Sequence, residues 1–113
     1  MLDETQLREV MGRDVVDKDG KSIGNLETFF ADRNTGRPEW IGVFTGTFRQ
    51  RHYLVPVEGA EVAGSAIRVP WTKEQVEGAP DYRDPESSIS EEMEQEAYRN
   101  YGLQPAVSSQ PAR

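Results

Sequence analysis

The sequence predicts an all-β fold, a small barrel of about six strands between Gly12 and Pro80, with short helices before and after it. Two observations carry this. Short runs rich in β-branched and aromatic residues alternate with turn signals about every eight to twelve residues, the rhythm of small barrels and sandwiches. Large apolar residues also stand side by side in mid-chain, at Phe29-Phe30, Trp40-Ile41 and Val43-Phe44. Successive strand residues point to opposite faces, so one of each pair faces away from the interior. Strands that are apolar on both faces are normally covered on both sides. Something must therefore lie over the outside of the second and third strands: the C-terminal helix, a second subunit or a partner.

Residues 1–11 form a helical lead. Asp3 caps it, Gln6 completes a capping box, and Leu7, Val10 and Met11 share one face. Gly12 ends it. Residues 13–17 are the first strand, and Asp19-Gly20 supplies the hairpin turn. The second strand is 22–31. Its Ile23 and Leu26 are three apart, so strict alternation cannot turn both inward, and a bulge near Gly24 restores the register. A turn at 32–36 leads to the third strand, 39–45. A basic loop, 46–51, leads to the fourth, 52–57, whose Pro56 marks an edge or the strand's end. Residues 60–63 and 66–69 make a last hairpin around Gly64-Ser65. The expected core is Val15, Ile23, Leu26, Val43, Leu54, Val55, Val62, Ile67 and Val69, with one of Phe29/Phe30 and one of Trp40/Ile41.

The barrel domain is expected over 12–80. Thr72 and Gln75 read as a second capping box that opens a single helical turn before Gly78. Residues 81–87 read as a linker. Residues 88–102 read as an acidic amphipathic helix, with Ser88 as its cap and Glu91 completing the box. Ile89, Met93, Ala97 and Tyr101 form a narrow apolar stripe on it, and Gly102 is its C-terminal cap. Residues 103–113, rich in Pro, Ser and Ala, are expected to be disordered.

The chain of 113 residues carries a formal charge of −7 and no cysteine. Disulfides, thiolate nucleophiles and zinc–thiolate sites are thereby excluded. An acidic chain is repelled by nucleic acid and anionic membranes unless a local basic patch intervenes, so nucleic acid is disfavoured as a partner. No apolar run approaches the ~20 residues of a membrane span, and the acidic N-terminal stretch lacks a signal-peptide core, which places the expected location in the cytoplasm without membrane insertion.

Catalytic and cofactor signatures fail one by one. Gly20-Lys21-Ser22 resembles the end of a phosphate-binding loop, but the first glycine of that loop is replaced by Val15. Asp17-x-Asp19-Gly20 resembles part of a calcium loop, but Val15 and Leu26 stand where its terminal acidic ligands belong. A solvated β-turn accounts for it better. His52 is the sole histidine, too few for zinc, and reads as a strand-surface residue. No nucleophile elbow exists. The expectation is a non-enzyme without metal or cofactor.

Two features carry binding potential. The segment 48–53, with Phe48, Arg49, Arg51 and Tyr53, is the one basic-aromatic cluster, suited to phosphate contact with base stacking, though an ordinary charged loop has the same composition. The surplus outward aromatics are the second. Together they give an expected interaction surface of Phe29, Phe30, Trp40, Phe44, Phe48, Arg49, Arg51, Tyr53, Met93 and Tyr101.

The stretch Gly12–Pro80 resembles the PRC-barrel family. The resemblance lies in the opening G-R-x-V-x-D-x-x-G-x-x-I-G, the middle G-R-P-E-W, the L-V-P-V and the closing V-P-W-T-K-E-Q-V. It implies a compact, roughly six-stranded barrel with no shared catalytic residues. The family includes the cytoplasmic domain of the photosynthetic reaction-centre H subunit, the C-terminal domain of a ribosome maturation factor, and small stand-alone bacterial proteins, which this chain resembles most. The expected function is a non-enzymatic protein-interaction or assembly module with an unknown protein partner. The alternatives are an RNA- or ribosome-associated factor using residues 48–53, and a peripheral scaffold at a photosynthetic or other electron-transfer membrane complex. One narrow helical stripe offers little cover for the outward aromatics, which favours a homodimer.

Overall fold

Six strands pair into one sheet in the order β4-β3-β2-β1-β6-β5. They are β1 (Asp14–Val16), β2 (Ser22–Ala31), β3 (Pro38–Thr45), β4 (Arg51–Pro56), β5 (Glu61–Ala63) and β6 (Ala66–Arg68), with three helices, α1 (Glu4–Glu9), α2 (Lys73–Glu77) and α3 (Glu91–Asn100). This computed structural model describes residues 2–46 and 50–103. The expectations for Phe48, Arg49 and the tail from 104 onward lie outside the described residues. Among the described residues β4 and β5 are sheet edges without mutual pairing, so the expected all-β barrel of about six strands is here an open six-stranded sheet with short helices.

Local chemistry explains the elements. Asp3 caps α1, accepting from Gln6 N at 2.8 Å, while the Gln6 side chain accepts from Asp3 N at 3.0 Å. Gly20, at φ +87°, closes the β1–β2 hairpin in a conformation that costs a side chain dearly. The sequence places a bulge near Gly24, and two register shifts occur on β2. One leaves Ile23 unpaired between Gly24 and Ser22 opposite β1, and the other leaves Glu27 unpaired opposite β3. The first lets Ile23 turn inward on the same side as Leu26. Pro56 ends β4, which is an edge strand, as its lack of an N–H requires.

The core gathers Leu7, Val15, Leu26, Ile41, Val43, Val55, Ile67 and Val69. Val62 was expected there but is 44% exposed, because β5 is a three-residue edge strand with no layer outside it. The pairs also depart from expectation. Trp40 and Ile41 are both buried, and Phe29 and Phe30 are both half-buried.

The register explains Trp40. Ile41 faces Val55 and Val43 faces Tyr53 on the inner side, which puts Trp40, Gly42 and Phe44 on the outer side with their partners Pro56, Leu54 and His52. The covering that the sequence demanded over this outer side is the chain's own C-terminal part. Residues 81–87 are a strap, tied down along β4. Asp81 bridges to Tyr53, and Tyr82 N donates to His52 O at 3.0 Å, which covers an otherwise open sheet edge. Tyr82 then lies across Gly42, where any side chain would collide with its ring and with Thr28.

α3 completes the cover. Its cap is Ser90 and not Ser88: Ser90 Oγ accepts from Met93 N at 3.1 Å. Starting there puts Glu91, Glu92 and Glu94 in the first turn, at the positive end of the helix dipole. Tyr101 Oη donates to Leu54 O at 2.6 Å, and Asn100 Nδ2 donates to Gln75 O at 2.8 Å. Gln75 uses its side chain on Asn100 O and so does not complete the capping box expected with Thr72. The fold therefore needs no second subunit to bury Trp40.

The acidic turn 17–21 also differs from its solvated reading. Asp17 is 1% exposed. Its carboxylate accepts from Asp19 N and Lys21 N, closing the turn, and from Lys73 N at 3.1 Å, which pins α2 to the β1–β2 hairpin.

Candidate functional site

The outer side of the sheet carries two polar clusters. The first stems from the second β2 bulge, which leaves Glu27 unpaired and lets it reach the outer side next to Thr28. Its carboxylate meets His52 Nδ1 at 2.7 Å and accepts from Tyr82 Oη. Phe30 packs edge-on against Tyr82 at 5.2 Å, and Phe44 lies 4.9 Å from the His52 ring. Burial, and then the carboxylate it bonds, hold the Tyr82 hydroxyl far above its ordinary titration range. The cluster is a latch between the strap and the sheet.

The second cluster joins β3 to α3. Trp40 Nε1 donates to Glu94 Oε2 at 3.1 Å, and Tyr98 Oη donates to Glu39 Oε2 at 3.0 Å. The Trp40 and Tyr98 rings are 4.9 Å apart. Glu39 and Glu94 are thus pressed together. Partial burial first, then the neighbouring Glu94, push the Glu39 carboxyl up to about 7, so near neutral pH the pair holds a proton. Burial and Glu39 likewise raise the Tyr98 hydroxyl.

Beside this cluster the cover is incomplete. A groove of about 950 Å³ runs between the β2–β3 turn and the lead-in to α3. Phe29, Phe30, Trp40, Ile89 and Tyr98 form its apolar walls, and Asp32, Glu39, Glu86, Glu91 and Glu94 oppose a single cation, Arg33. Phe29 is shared with α1, whose Arg8 guanidinium lies 5.5 Å from the ring centroid.

The residues expected on the interaction surface are distributed unevenly. Phe29 and Phe30 line the groove. Phe44 is half-buried against His52. Arg51 is exposed at the start of β4. Trp40, Tyr53 and Tyr101 are buried at 1%, 8% and 3% exposure, so they pack within the chain and present no free surface. Met93 is half-buried against the core. With Tyr53 inside, the 48–53 segment has lost one of its two stacking rings, and the other, Phe48, lies outside the described residues.

Sequence reasoning missed Glu27, Glu39, Tyr82, Glu94 and Tyr98. A signal existed for two of them. Glu94 and Tyr98 are four apart and form a second row beside Met93 and Ala97, so the docked face of α3 is two residues wide. The sequence marks this helix as acidic and amphipathic, with its apolar stripe as the docking face. Glu94 instead turns toward Trp40 and Glu39.

Among the described residues no group of acidic or histidine side chains is arranged to hold a metal ion, and no helix is long and apolar enough to cross a membrane. A family model described as the PRC-barrel domain matches residues 2–76. No curated protein matches the chain.

Proposed function

The chain belongs to the PRC-barrel domain family, and from that premise we propose that it is a non-enzymatic protein-interaction module whose docking surface is the groove between the β2–β3 turn and α3. The observation that carries this reading is the gap in the cover over the outer side of the sheet. The strap and α3 bury Trp40, yet leave Phe29 and Phe30 half-buried at the wall of a groove large enough for a peptide segment. Apolar residues held at such an opening favour association with another protein.

The test is a photo-reactive residue placed at Asn34, on the groove rim, and at Val62, on the far sheet edge, in cells that make the protein. The expected result is one adduct of defined mass from position 34, absent from position 62 and lost in F30A whose fold is verified by circular dichroism. Equal adducts from both positions, no adduct at all, or turnover of a metabolite panel by the purified chain would overturn the reading. A second copy of this chain is one partner that the reading admits, and the mass of the adduct identifies it.

A further inference from the structure

We propose that the groove receives an extended lysine- or arginine-rich segment of a partner protein, with apolar side chains against Phe29 and Phe30 and cations directed at Glu39 and Glu94. This rests on the docking reading above and adds the chemistry of the occupant. Charge complementarity selects it. Five carboxylates and one arginine line the groove. The lead-in and α3 extend the same field: residues 84–101 hold six acidic residues and Arg99, a net −5 of the chain's −7. Such a wall repels nucleic acid, anionic lipid and acidic peptides, and it raises the local concentration of cationic chains. A wholly apolar segment would leave the carboxylates dehydrated and unpaired.

The Glu39–Glu94 pair makes the preference local. Two neighbouring carboxyls resist carrying two charges unless a proton or a cation joins them, which is why Glu39, already partly buried, is pushed up to about 7 beside Glu94. An ammonium or guanidinium entering from the groove can take its place. The half-buried Tyr98 ring, which lines the groove, offers π-surface to the same cation. The charged groups facing Glu39 are Glu94 and Tyr98 from α3 and Asp32 from the turn after β2. All are acidic or neutral, so none of these groups supplies a positive charge to Glu39.

The experiment uses the full chain and a fluorescent peptide of about ten residues alternating arginine with leucine, followed by anisotropy at low salt. The expected result is saturable binding of one peptide per chain. E91Q/E94Q and F30A should each weaken it roughly tenfold, while E58Q/E61Q, with the same change in net charge beyond the groove, should leave it within about twofold. Binding should tighten several-fold between pH 6 and 8 as the proton leaves the pair. Equal weakening by E58Q/E61Q would reduce the effect to general attraction and overturn the proposal. So would tighter binding of the peptide with glutamate in place of arginine, or undiminished binding when serine replaces leucine. If the peptide fails while the adduct from position 34 persists, the partner class is wrong and the docking surface stands. If both fail, the docking reading falls too.

Discussion

Asp17 carries its charge almost out of contact with water, and three backbone N–H groups hold it there. Burial alone would raise its carboxyl, but the bonds from Lys21, Asp19 and Lys73 outweigh it, and the group titrates below its ordinary 3.8. Its stabilising effect is therefore present above pH 3.8 and is lost as the pH falls through the lower, folded value. Charge-assisted bonds contribute about 1.5–3 kcal/mol each in favourable cases, and they are not additive. Asp17→Ala should destabilise the fold by about 2–4 kcal/mol in urea titration at pH 7. A loss under roughly 0.5 kcal/mol, the range of surface changes, would mean that the clamp contributes nothing. Glu39 has the opposite sign. Raised from 4.5 to about 7, it favours the fold fully below pH 4.5, and that contribution disappears as the pH rises through 7. Glu39→Gln, which stays neutral, should gain on the wild type between pH 5 and pH 8 by on the order of 1 kcal/mol, a discounted figure because the carboxyl keeps part of its hydration. Parallel melting curves for the two proteins across that range would contradict the shared proton.

At the scale of elements, Ser90→Ala should cost about 1 kcal/mol as a lost cap, and Ser88→Ala should stay within about 0.5 kcal/mol. Equal effects would return the helix start to Ser88. Deleting residues 86–113 uncovers Trp40 and Leu54 and removes Ala97 and Tyr101 from the packing. Burying each large side chain is worth about 1.5–3 kcal/mol, so the melting temperature should fall by about 10 °C or more. An unchanged melting temperature would show that α3 covers nothing. The strands were legible because their evidence is local: turn glycines, alternation and the Ile23–Leu26 mismatch that demanded a bulge. The need for an outer cover was legible too, from paired aromatics at 29–30, 40–41 and 43–44. What supplies the cover was not, because the strap has no periodicity. Pro85 and a scatter of charges hide the one residue, Tyr82, that fits over Gly42. Ser88 and Ser90 offer rival caps in the same three residues, and only docking against β3 and β4 decides between them.

For the whole molecule, the consequence is that one chain covers the outer side of its own β3 and β4. The duty that the sequence assigned to a dimer, covering Trp40, is already performed within the chain. Any self-association must then act through what stays open, the groove, and sedimentation equilibrium of wild type and F30A should show no difference in mass if the groove serves a different protein. A wild-type dimer that F30A dissociates would make a second copy the occupant. The groove itself was beyond sequence reading, because it exists only where the β2–β3 turn, the strap and the first turn of α3 fail to meet. The most direct measurement is hydrogen–deuterium exchange of the full chain with and without the arginine–leucine peptide. The account predicts slowed exchange confined to residues 29–34 and 86–98, with β5 and β6 unaffected. Slowing that is spread over the acidic surface, or centred on the turn between β4 and β5, would contradict it.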